Sequence, residues 1–225
     1  MDNNKFEKRI LFAFKLGRKN YMESLFNEGL IYMNSVAFFR DLAKKGQGDK
    51  YEGAELIRAG QPIKYRNNIE KEKVYCMWHI NNFTEPMGSG VYANYYSDTM
   101  CEMSIDTRSY VDEFADGCFE DLRVVAIHNL KEFHSRLRSA IHRNNIEHYE
   151  MGEIQYYNLD ETTNITVGRY MKPNAFKHQN EIRYYVEDTN NAPLSLKIGN
   201  ISDIASIHKV CLIKIKIPYH IECIS

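Results

Sequence analysis

Glu181-Ile182-Arg183-Tyr184-Tyr185-Val186-Glu187 is the stretch that decides the fold class of this chain. Its side chains alternate with a period of two. Ile182, Tyr184 and Val186 share one face, while Glu181, Arg183, Tyr185 and Glu187 share the other. That pattern is a strand, and a Glu and an Arg two apart on it point the same way. Further strand signals lie at 9–14 (RILFAF), 30–33 (LIYM), 73–80 (KVYCMWHI), 123–127 (RVVAI), more weakly at 148–157, and at 209–217 (KVCLIKIKI).

Helical spacing separates these strands. Tyr21, Leu25 and Phe26 follow a capping-box-like Asn20 and Glu23, and Gly29 falls where a left-handed cap ends a helix. Ser35 is placed to cap a second helix carrying Val36, Phe38, Phe39 and Leu42. The longest helix spans 129–144, opened by Asn129 and Glu132, with Leu130, Phe133, Leu137, Ala140 and Ile141 in one apolar stripe. Its other face holds Lys131, Arg136, Arg138 and Arg143 against Glu132, together with His134 and His142. Residues 54–72 read as a hairpin or excursion, 83–90 as a loop, and Pro173-Asn174 as the start of a helical turn through Phe176. Within 98–121, eight acidic residues face one Arg, and Tyr110, Val111 and Phe114 suggest a short helix.

No regular βα repeat appears, and no Gly-rich phosphate fingerprint follows a strand, which argues against a Rossmann fold or P-loop. The expectation is an α+β fold: one domain over residues 1–225, with a mixed, largely antiparallel sheet and a few packed helices.

The bulk numbers narrow the function classes. Lys plus Arg is 29 and Asp plus Glu is 30, a net charge of -1. This excludes a histone-like nucleic-acid binder, whose affinity comes from excess positive charge. Apolar residues make up 44%, ordinary for a globular chain, and no stretch approaches the length of a membrane helix. Five cysteines, an odd number without a C-x-x-C pair, disfavour a disulfide framework or a thiolate zinc site. The reading is a cytoplasmic protein of a bacterium or its phage, with no membrane partner.

Two clusters are candidates for chemistry. The first is Phe39-Arg40-Asp41, followed by Gly48-Asp49-Lys50-Tyr51-Glu52-Gly53. Its glycines permit tight turns that set Asp49 and Glu52 on a loop behind a rigid helix. A polar connecting loop has the same signature. The second is Lys172, Phe176 and Glu181-Ile182-Arg183. Glu181 with Arg183 and Lys172 suits an anionic or nucleotide ligand, and a carboxylate there can steady a developing cation. A cross-strand salt bridge uses the same residues. Tyr32 and Tyr75 are candidate stacking platforms, and Arg40, Asp49 and Glu52 candidate ligand contacts. Asp41, Asp49 and Glu52 are the one set that suits a metal, as a nuclease would need; no metal is assigned.

Taken together, Gly29-Leu30-Ile31-Tyr32, Phe38-Phe39-Arg40-Asp41, Asp49 with Glu52-Gly53, Tyr75-Cys76-Met77, and Lys172 through Phe176 to Glu181-Ile182-Arg183 resemble the order of features in a loosely bounded family of uncharacterised bacterial and phage proteins. The opening strand, helix, Gly-Leu and strand also look like the start of some ADP-ribosyltransferases. That second likeness implies a nucleotide-dependent enzyme of a bacterial or phage conflict system, a transferase with NAD as its cofactor. Glu181 would be the catalytic carboxylate, Arg183 and Lys172 the phosphate contacts, and Arg9 or Lys15 the early basic residue. The alternatives are a non-enzymatic ligand- or partner-binding protein of phage defence or counter-defence, and a nucleic-acid-binding protein or nuclease.

Overall fold

A computed structural model describes residues 12–42, 49–80, 91–96, 100–106, 119–160, 162 and 164–218. The expected loop at 83–90 and the helix around Tyr110–Phe114 lie outside them. The fold is α+β, with antiparallel sheets, one parallel strand pair and three α-helices among the described residues. The chain divides into two compact units.

The first unit takes residues 1–28, 79–133 and 200–225. Strand β1 (Phe12–Arg18) runs straight into helix α1 (Lys19–Glu28). Both are shifted from the sequence reading, because Asn20 lies inside the helix rather than capping it. Strands β6 (Val91–Tyr96) and β7 (Met100–Asp106) follow, so part of the acidic segment is strand. After a 3-10 turn at Phe119–Asp121 comes β8 (Leu122–Ile127). β8 pairs antiparallel with β1 on one side and with β15 (Ala205–Lys209) on the other. The last strand among the described residues, β16 (Leu212–Pro218), pairs with β7, which pairs with β6. One strand was expected over 209–217, whereas two occur, broken after Lys209.

The second unit takes residues 29–78 and 134–199. Gly29 sits at φ +62°, the left-handed conformation expected of a helix-ending glycine. Strand β2 (Leu30–Ser35) leads into α2 (Val36–Leu42), capped by Phe38 N–H donating to Ser35 Oγ at 3.1 Å. A hairpin of β3 (Ala54–Arg58) and β4 (Gln61–Tyr65) comes next, with β11 (Asn164–Thr166) against β3. The main sheet of this unit orders β14 (Leu194–Lys197), β2, β5 (Glu72–Ile80), β13 (Glu181–Glu187) and β9 (Tyr149–Glu153), all antiparallel. β10 (Gln155–Tyr157) and β12 (Met171–Pro173) form the parallel pair, and a 3-10 helix at Asn174–Gln179 leads into β13.

Helix α3 (Leu130–Arg143) buries four residues of its expected stripe, Phe133, Leu137, Ala140 and Ile141, and leaves Leu130 half-buried at its start. Fully burying one such large side chain is worth roughly 1.5–3 kcal/mol. Its cap is the expected one, Glu132 N–H donating to Asn129 Oδ1 at 3.1 Å. His134 departs from the reading. It falls three residues before Leu137, inside the stripe rather than on the polar face. It is buried, and the Tyr149 hydroxyl bonds its Nδ1 at 2.8 Å.

β13 alternates as expected, but both of its faces are covered. Tyr184 packs against Tyr75 and His134 on one side. On the other, Tyr185 joins Val36, Ala37, Ile69 and Val74 in a core cluster. Its charged residues Glu181 and Arg183 are therefore forced into the interior.

Candidate functional site

The face of β13 that carries Glu181 and Arg183 meets two other segments of the second unit. Lys172 arrives from β12, whose register sets Tyr156 opposite Lys172 and Tyr157 opposite Pro173. Asp49 and Glu52 arrive from the turn before β3. That turn is closed by Glu52 N–H to Asp49 O at 3.0 Å, Ala54 N–H to Tyr51 O at 2.9 Å and Tyr51 N–H to Asp49 Oδ1 at 2.8 Å. Gly53 completes it at φ +79°, where a Cβ would stand 2.9 Å from Val36 Cγ1. The loop glycine singled out in the sequence thus does the steric work of turning Glu52 inward.

The four side chains lock together. Arg183 Nε donates to Glu181 Oε1 at 2.9 Å, and its two terminal nitrogens donate to Glu52 Oε1 and Oε2 at 2.7 and 3.1 Å. One of them also reaches Arg169 O at 3.0 Å. Lys172 Nζ donates to Glu181 Oε2 at 2.5 Å and to Gln179 Oε1 at 3.0 Å. The Cys76 thiol also hydrogen-bonds the Glu181 carboxylate, while Glu181 N–H donates to Tyr156 Oη at 3.0 Å. None of Glu181, Arg183, Lys172, Glu52 and Asp49 is more than 8% exposed.

Burial alone would push Glu181 toward neutrality. The Arg183 and Lys172 charges outweigh it and hold the carboxyl well below the usual range. Burial would likewise lower Lys172 and Arg183, but Glu181 keeps both charged, with Glu52 adding to the effect. Asp49 behaves oppositely. Burial and the Glu52 charge together raise it to about 6. Among the described residues its side chain takes one hydrogen bond, that from Tyr51 N–H. Near it, the Tyr157 hydroxyl is buried and has no hydrogen-bond partner among them. Burial, then the Asp49 carboxyl, push that hydroxyl upward.

Beside this network lies an open cleft of about 440 Å³, lined by Tyr51, Asn158, Asp160, Pro173, Asn174 and Phe176 among others. Its walls are chain neighbours of the buried groups: Tyr51 follows Asp49 by two, Asn158 follows Tyr157, and Pro173 follows Lys172. Tyr51 is tied back through its hydroxyl to Gly60 O at 2.9 Å. Asp160 anchors its own turn by accepting from Thr162 N–H at 2.8 Å and Thr162 Oγ1 at 2.7 Å.

Five of the residues singled out in the sequence therefore come together: Lys172, Glu181, Arg183, Asp49 and Glu52. Three do not. Tyr75 faces away, because it sits one residue before Cys76 and so joins Tyr184 on the opposite side of the sheet. Tyr32 is 51% exposed on β2. Arg40 lies over the Tyr65 ring at 5.2 Å and pairs with Asp41 at 3.3 Å. Among the described residues, no three His, Cys, Asp or Glu side chains are grouped to hold a metal ion. Sequence reasoning missed Tyr156 and Tyr157. The available signal was the aromatic pair on a short strand, one residue of which must face inward. No protein-family model, curated protein or solved structure matches this chain.

Proposed function

We propose that this chain is a non-enzymatic binding protein for a small molecule, received in the cleft beside the buried charges. The observation that carries this reading is the division of labour between network and cleft. Glu181, Arg183, Lys172 and Glu52 spend their hydrogen bonds on one another beneath the surface, while the open volume is walled by Tyr51, Pro173 and Phe176 with a few polar groups. Aromatic and apolar walls with sparse polar contacts are the usual make-up of small-molecule sites, and the volume falls in their range. The network fixes two wall-bearing segments in place, the turn carrying Tyr51 and the segment from Lys172 to Phe176, which lowers the ordering cost of binding.

Saturable binding of a small organic molecule to the full chain, abolished by Ala175→Trp in the cleft wall, is the expected result. A protein that binds nothing in a broad small-molecule screen, or binds equally well with the cleft filled, overturns the reading. Transfer chemistry on NAD with Glu181 as the reacting carboxylate requires that residue to shed two cations and its cover. Incubation with labelled NAD separates the two: nicotinamide release that is lost in a folded Glu181→Gln variant favours the enzyme.

A further inference from the structure

Strands β10 and β12 run parallel with Tyr157 opposite Pro173, so the next residue on each, Asn158 and Asn174, comes side by side where the ladder ends. Asn174 Nδ2 donates to Asn158 Oδ1, and among the described residues neither side chain makes another hydrogen bond. Both residues are exposed and both line the cleft. A carboxamide has two N–H donors and one carbonyl acceptor. One bond between two of them therefore leaves the Asn158 N–H groups and the Asn174 carbonyl to meet a third molecule. That edge offers a donor and an acceptor together, and it is uncharged. It matches a ligand that carries an acceptor beside an N–H.

Charge does not select the occupant. The wall carboxylate of Asp160 has a counterpart in the exposed Lys50 ammonium, 4.9 Å over the Tyr51 ring. Lys172 and Arg183 donate within the buried network. Selection falls instead to the amide edge and the aromatic walls. Tyr51 is held through its hydroxyl on Gly60 O at 2.9 Å, and the buried Lys172 ammonium lies 5.4 Å over the Phe176 ring. Rings held in place suit a flat partner. Stacking on aromatic side chains, with side-chain amides on the base edge, is how proteins read an unpaired nucleobase. We infer that the small molecule carries a nucleobase, its donor–acceptor edge on the Asn158–Asn174 amide pair and its ring against Tyr51 and Phe176. The cleft of about 440 Å³ has room for a nucleoside. This rests on the ligand-binding reading above and adds the chemical class.

The test is calorimetric titration of the full chain with adenosine, guanosine, cytidine and uridine, and with ribose and nicotinamide as counterparts lacking the base or the nucleoside. At least one nucleoside is expected to bind, and ribose is not. Asn158→Leu and Asn174→Leu, both at exposed positions, are each expected to weaken that nucleoside about tenfold. The same nucleoside methylated on the N–H donor of its base is expected to lose as much. Unfolding midpoints confirm that both variants are folded. Nucleoside affinity indifferent to both substitutions, or to the methylation, overturns the inference. Nicotinamide binding in place of the nucleosides, lost in Ala175→Trp, overturns the nucleobase class and leaves the ligand-binding reading standing. If no nucleoside binds, the inference falls, and the broad screen against the filled cleft decides the reading beneath it.

Discussion

Arg183 and Glu52 stand 131 residues apart in the chain and are joined by two N–H···O bonds of 2.7 and 3.1 Å, both ends buried. This contact ties the turn before β3 to the centre of the second unit's sheet. Removing one partner leaves the other charge in the interior without compensation, a loss of about 3–5 kcal/mol. Glu52→Ala and Glu181→Ala are therefore both expected to lower stability by that amount in urea unfolding. Arg183→Lys is expected to be nearly as damaging, because an ammonium cannot bridge Glu181 and both oxygens of Glu52 at once. Losses under about 1 kcal/mol for all three would mean that water reaches the network and screens it.

Asp49 gives this protein an unusual pH signature. Its folded pKa is raised from 3.8 to about 6 by burial and by Glu52, with Lys172, Arg183 and the Tyr51 N–H opposing. A carboxyl raised on folding favours the folded state while protonated, so its contribution is present below 3.8 and is lost as pH climbs through about 6. Glu181 runs the other way: its depressed pKa supplies stability above the ordinary carboxyl range, and that stability disappears on acidification. Asp49→Asn isolates the first effect. The stability of the variant relative to the parent is expected to rise by about 2 kcal/mol between pH 4 and pH 7, most of the full effect of a shift from 3.8 to about 6. A difference flat across that range would place Asp49 in water.

How far the site was legible depended on distance along the chain. The period-two pattern of Glu181 and Arg183 fixed their common face, and Lys172 lay close enough to be grouped with them. The Gly-flanked turn holding Asp49 and Glu52 was visible as a turn, but its meeting with Arg183 is a tertiary event that no local periodicity encodes. Tyr75 shows the converse. A strand places neighbours on opposite faces, and only the register that sets Cys76 against Arg183 shows that Tyr75, named as a stacking platform, faces away from the charged cluster. His134 was placed on the polar face by its chemistry although its spacing from Leu137 puts it on the apolar one. Boundaries slipped where strand ran directly into helix at Arg18–Lys19, because Asn20, a residue type that favours caps, lies inside the helix.

The Tyr157 hydroxyl offers a test that needs no ligand. A buried O–H with no partner carries a desolvation penalty of about 1–3 kcal/mol that the phenyl ring of phenylalanine does not. Tyr157→Phe is accordingly expected to stabilise the protein by about 1 kcal/mol in urea unfolding. A destabilised Tyr157→Phe would show that the oxygen has a partner in the unliganded protein.

Gly29 and Gly199 allow backbone strain to be separated from collision. Both adopt positive φ, +62° and +85°. A side chain in that region carries roughly 1–2 kcal/mol of strain for an L-residue. At Gly199 a Cβ meets nothing within 4 Å, so Gly199→Ala is expected to lose about that much and no more. At Gly29 the added carbon would stand 2.1 Å from Gly199 O and 2.6 Å from Ile198 Cγ1, where the Ile198 N–H donates to Gly29 O at 3.0 Å. The colliding atom is backbone and cannot swing aside. Gly29→Ala must then shift β14 away from β2 and break the Lys197–Leu30 end of their register. Its expected loss exceeds that of Gly199→Ala by several kcal/mol, on the scale of a disrupted packed contact. Equal losses at the two positions in urea unfolding would mean that conformational strain alone, not the approach of the two chain segments, demands glycine at the start of β2.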